Sequence, residues 1–188
     1  MNAIGGPDAE PAIAVIAATR AWLENVVIGL QLCPFAAAPH LNDRVRYCVS
    51  MQRSGVGLLE ELVEELQALQ DTDPLICETT LLIHPHALPD FLDYNDFLDE
   101  CDAAVAALGL EGELQVASFH PLYQFAGTGA QDIENYTNRS PYPMLHLLRE
   151  SSIERAVANY PDIGEIGPRN IATLRRLGHE GWRLLCSQ

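Results

Sequence analysis

Leu81-Leu82-Ile83-His84-Pro85 closes a β-rich run that starts near Ile76, and Val116-Ala117-Ser118-Phe119-His120-Pro121 repeats its form further on. Each is a short stretch of mostly small and apolar residues that runs straight into histidine and then proline. The first is nearly all apolar at its end, as a strand covered on both faces is. Between the two lies Pro89–Leu108, which reads as an acidic-faced helix closing at Gly109. Before them, Leu58–Gln70 is amphipathic. Leu59, Leu62, Val63, Leu66 and Leu69 share one face, and Glu60, Glu61, Glu64 and Glu65 turn mostly outward. Val45–Ser50 is a further strand candidate and Glu113–Phe119 the third. The order strand, helix, strand, helix, strand predicts an α/β fold with a small three- to four-stranded, mostly parallel sheet, flanking helices and a helical C-terminal tail.

Working outward, residues 1–10 read as a loose tail and 11–188 as one domain, a length that suits a single core. A helical stripe covers residues 11–32 and ends at Cys33-Pro34-Phe35, because the residue before a proline is biased away from helix. After the third strand comes a long aperiodic segment, 120–142. Pro143 then suits the first turn of a helix, which places His146 and Arg149 on one helix face among Leu145, Leu147 and Leu148, in a packing role. Ser151-Ser152-Ile153-Glu154 matches a capping box, and its helix ends by Tyr160-Pro161. A last helix or pair covers 166–185, with Gly178 as its stop or bend.

The formal charge is −15, and all eleven basic residues are arginine. Such a surface repels nucleic acid and anionic membranes, so neither is an expected partner. Without lysine there is no Schiff-base lysine and no P-loop lysine. No arginine lies between Arg53 and Arg139. The five cysteines are scattered without a C-x-x-C pair, which fits reduced cytosolic thiols. The first residues lack the charged and apolar regions of a signal peptide, and no apolar run reaches membrane-spanning length. A cytoplasmic location is expected, and the oligomeric state is open.

In an open parallel sheet, ligands bind outside the carboxyl ends of the strands. His84 and His120 are then expected at that edge, on strands about 4.8 Å apart or twice that. The 120–142 segment is long enough to be functional, and it carries Tyr123, Phe125, Tyr136 and Tyr142. It also supplies Gln124, Asn138, Arg139 and Ser140 as binding groups for a small polar or anionic molecule. Arg139 offers a guanidinium fork beside a predicted helix amino end. One chemistry is acid–base catalysis by His84 or His120 with Tyr123 orienting or donating, as in a hydrolase or lyase. A second makes His84, His86 and His120 the ligands of zinc or another divalent metal in a hydrolase. A third reading is a non-catalytic interaction module whose acidic helices, 58–70 and 89–108, meet a basic partner.

Other features carry less. Cys33 sits at a predicted helix carboxyl end, where the dipole raises a thiol pKa. Asp93-Tyr94-Asn95-Asp96 lacks the central glycine of a calcium loop. Gly127-Thr128-Gly129 lacks the rest of a dinucleotide fingerprint, so no nucleotide cofactor motif is present.

Several long words occur together in order. They are Leu32-Cys33-Pro34-Phe35-Ala36, Thr79 through Pro85, Phe91 through Leu98, Ser118-Phe119-His120-Pro121 with Tyr123-Gln124-Phe125-Ala126-Gly127, and Thr137 through Pro143 with His146-Leu147-Leu148-Arg149-Glu150. Over about residues 12 to 185 the chain resembles a bacterial domain-of-unknown-function family, number fourteen-fifteen in that series. The resemblance implies a single-domain bacterial protein, and it assigns no activity and no catalytic residue.

Overall fold

The structure is a computed structural model that describes residues 9–158, 160 and 162–186. The first eight residues of the expected tail lie outside the described residues. Helix α1 (Ala9–Trp22) continues as a π-helical stretch, Leu23–Ile28, and a short α2 spans Ala37–Leu41. The alternating centre follows: β1 (Val45–Val49), α3 (Gly55–Asp71), β2 (Thr79–Ile83), α4 (Phe91–Ala107) and β3 (Leu114–Phe119). Caps fix the two helices. The Ser54 side chain accepts from the Gly57 amide, and Asp90 accepts from Leu92 and Asp93. Gly109, with φ of 69°, ends α4 in the left-handed region that favours glycine.

The expected helix after Pro143 is instead a strand, β4 (Met144–Arg149), and it enters the middle of the sheet. The order is β1-β2-β4-β3. β1 and β2 pair in parallel, and β4 is antiparallel to both β2 and β3. Three strands therefore run one way, yet only one neighbouring pair is parallel. The sheet is mixed, not mostly parallel. The reason is visible in Met144-Leu145-His146-Leu147-Leu148: a short apolar run after proline fits a first helical turn, and it fits equally a buried strand that begins after a proline. Six residues are enough for a strand and too few for a helix before the capping signal at Ser151.

Alternation along β4 sorts the two faces. Leu145 and Leu147 join Leu82 and Leu114 beneath α3 and α4, where Leu58, Leu62, Leu66 and Leu69 are buried. Each such leucine contributes roughly 1.5–3 kcal/mol by leaving water. Met144 faces the other way, with Leu81 and Ile83, toward Val15, Trp22, Leu23, Val26 and Val27 of the first helix. The chain ends in α5 (Glu150–Ala158) and α6 (Ile166–Cys186), the latter broken at Gly178 with φ of 66°. No described helix is long and apolar enough to cross a membrane.

Candidate functional site

The two histidine-proline corners meet at one end of the sheet, as their strands predict. His84 donates from Nδ1 to the Ala87 carbonyl at 3.0 Å, and His120 from Nε2 to the Leu88 carbonyl at 3.2 Å. The other ring nitrogen of His120, Nδ1, accepts the Leu122 amide. Two strand tips therefore grip adjacent carbonyls of one loop, in which Leu88 adopts the left-handed region at φ of 51°. Tyr94 lies between the imidazoles, its ring centroid 5.7 Å from His84 and 5.0 Å from His120. Its hydroxyl donates to the Met144 carbonyl and accepts the Phe119 amide. Phe91 and Tyr123 continue the cluster. Aromatic rings thus occupy the space where a ligand was expected, and both histidines are buried. Burial lowers the His84 pKa to about 4, and its Nε2 is an acceptor sealed from solvent without a donor.

The three-histidine metal set does not form. His86 is exposed on the loop, and among the described residues no three His, Cys, Asp or Glu side chains converge as metal ligands must.

The 120–142 segment is tightly self-bonded. Asn135, fully buried, accepts the Phe125 amide and donates to the Gly129 carbonyl. Arg139 lies 4.1 Å over the Tyr136 ring and donates to the Tyr123 and Ala130 carbonyls. Its fork holds loop backbone in place of an anion, and no helix begins beside it, since β4 follows. Gln124 donates to the Thr128 carbonyl, and Ser140 to that of Tyr142. Asn138 donates to the Ser118 carbonyl and, alone of the predicted contact residues, lines one of the cavities described next.

Two cavities lie on the α1 side of the sheet. The smaller, about 320 Å³, has a floor built from all four strands: Val45, Thr79 and Leu81, His146 and Leu148, Ala117 and Phe119. Trp22, Val27, Cys33 and Phe35 wall it on one side and Ile153 of α5 on another. The larger, about 570 Å³, lies between the 120–142 segment and α6, where it meets Phe125, Thr137, Asn138, Asn170 and Ile171. Val27, Cys33 and Phe119 border both.

In the smaller cavity the imidazole of His146 is held by Thr79. The Thr79 hydroxyl donates its one proton to the Leu147 carbonyl at 2.6 Å, so toward His146 Nε2, at 2.8 Å, it acts as acceptor. His146 therefore carries its proton on Nε2, and Nδ1 is the bare nitrogen. No described residue donates to Nδ1, and it is not among the unpartnered polar atoms sealed from solvent. Burial lowers the His146 pKa to about 4, so the ring is neutral at pH 7. The thiol of Cys33 is pushed up by burial and pulled back by the Phe35 and Ala36 amides. The direction matches the expectation, but the cause does not: the π-helical stretch ends at Ile28, and burial dominates.

His146 was missed as a site residue because a helix reading of 143–149 buries it among leucines. Once the run is a strand, alternation alone sets His146 on the face opposite Leu145 and Leu147. Cys33 carried no comparable signal, because its place depends on how the 29–36 turn folds over the sheet.

A family model described as a protein of unknown function (DUF1415) matches residues 14–184. No curated protein and no solved structure matches the chain.

Proposed function

We propose that this chain, which belongs to the DUF1415 family of proteins of unknown function, binds a small, uncharged, largely apolar molecule in the cavity over its sheet and acts on it through His146. The carrying observation is the Thr79–His146 arrangement, which presents one fixed, neutral, unprotonated nitrogen to an apolar space. A concave, mostly apolar cavity with few convergent polar groups is the usual form of a small-molecule site. The chemistry is still histidine acid–base chemistry, moved from the strand tips to the middle of β4. With a pKa near 4, His146 is a hydrogen-bond acceptor first. It becomes a useful base only toward a proton that the bound molecule already makes acidic, such as a phenol or an enol. A polar or anionic metabolite fits this cavity poorly: the Nη2 of Arg149 is taken by the Leu69, Thr72 and Cys77 carbonyls, its Nε is sealed from solvent, and Glu78 stands beside Arg44 and Arg155.

A melting-temperature screen of neutral phenols and alcohols at pH 7.5 tests the reading. Binders are expected to raise the wild-type midpoint and to lose most of that shift in His146→Phe, which keeps the ring volume. Equal shifts in both proteins, or stabilisation by a basic protein partner and by no small molecule, would overturn it.

A further inference from the structure

We infer that the two cavities form a single site for a neutral, elongated apolar molecule with a hydrogen-bond donor at each end, its middle passing Val27, Cys33 and Phe119. This rests on the reading of the His146 cavity above and extends it. Three residues common to both walls make the cavities neighbours.

The far end has its own built acceptor. Asn170 of α6 is buried, at 8% exposure, and its Nδ2 donates to the Leu32 carbonyl at 2.7 Å. That bond orients the amide and leaves Oδ1 as the free end. No described residue donates to Oδ1, it is not sealed from solvent, and Asn170 lines the larger cavity. An amide oxygen held in place with no protein donor is open to a donor that a ligand brings. The two ends thus present the same kind of group: a bare imidazole nitrogen and a bare carbonyl oxygen, both acceptors, both neutral. The ligand must bring the protons.

Charge argues the same way. Beside the larger cavity Glu134 is paired with Arg175, and Arg149, beside the smaller one, gives Nη2 to carbonyls and has its Nε sealed from solvent. A carboxylate at either end of a ligand would face an acceptor.

Straight-chain alcohols and α,ω-diols, from butanediol to dodecanediol, are the probes, read by calorimetric titration. Alcohols entering through the His146 cavity should gain about fourfold in affinity per methylene. Beyond a threshold length the diol should exceed the alcohol of equal length by about tenfold, the effect of one further hydrogen bond to a buried acceptor. The corresponding fatty acids should bind more weakly than the alcohols. Long diols should also slow iodoacetamide labelling of the Cys33 peptide, since they cross its thiol. Two variants locate the second end: Asn170→Ala removes the acceptor, and Ile171→Trp fills the larger cavity while leaving the Asn170–Leu32 bond. Both should abolish the diol advantage and keep the binding of short alcohols. If alcohols bind through His146 but no diol exceeds its alcohol, or the advantage survives both variants, the joined site is wrong and the His146 reading stands. If no alcohol binds, both fall.

Discussion

His146 donates to a hydroxyl that donates onward, and this chain of two bonds decides which nitrogen faces the cavity. Thr79→Val keeps the shape of that side chain and removes the acceptor. The imidazole N–H then points at a methyl group in a buried place, and the Leu147 carbonyl loses its second donor. The variant should be less stable by about 1–3 kcal/mol. Nitrogen NMR should also show His146 changing from a single Nε2–H tautomer to a mixture; an unchanged tautomer would mean that Thr79 does not set it. At this scale the sequence was readable in part. That His84 and His120 end strands at a common edge follows from two apolar runs meeting His-Pro. That they serve a loop does not, because it depends on the carbonyls of Ala87 and Leu88, which every residue possesses.

Strand β4 is the element on which the sheet turns, and Arg149 closes it. Its guanidinium donates to the Leu69 and Thr72 carbonyls at the end of α3 and to Cys77 before β2. Carbonyls left at a helix end need donors, and here one buried arginine supplies them. Arg149→Met should lower the urea-unfolding free energy by about 2–4 kcal/mol, with Arg149→Lys recovering only part of it, since all three carbonyls are met by Nη2 at the far end of the guanidinium and the lysine side chain is shorter. Full recovery by lysine would show that charge alone matters. The strands and helices from 45 to 119 were all legible in the sequence because the helices had length and period and the strands were short β-rich runs between them. Residues 143–149 were not, because a six-residue apolar run has no period long enough to separate 2.0 from 3.6. That one ambiguity turned a mixed sheet into a parallel one and hid the residue that faces the cavity.

For the molecule as a whole, two imidazoles held neutral by the fold make it acid-sensitive. His84 and His146 have pKa values near 4 in the folded chain, against 6.5 when exposed. The unfolded chain therefore binds more protons between those values, so stability is fully present above about pH 6.5 and is lost as pH falls toward 4. A shift of that size corresponds to roughly 3 kcal/mol for each ring. Urea midpoints should be flat from pH 7 to 8 and drop steeply between 6.5 and 4, and His146→Gln should flatten part of the slope. A midpoint that holds constant down to pH 4 would contradict the lowered pKa of both rings. The net charge of −15 works in the opposite sense, since acid relieves self-repulsion on an acidic surface.

The paired grip on Ala87 and Leu88 reaches beyond the loop itself. β4 keeps the tips of β2 and β3 apart, yet both are tied to one short connection, and that connection leads into the first turn of α4. Tyr94, one turn on, is in turn fastened to β4 and β3. This rim is a cross-braced frame: no strand tip there can splay without dragging a helix. On the opposite face the 29–36 turn and α6 are joined by side chains reaching single carbonyls, Asn170 to Leu32 and Arg169 to Gln31.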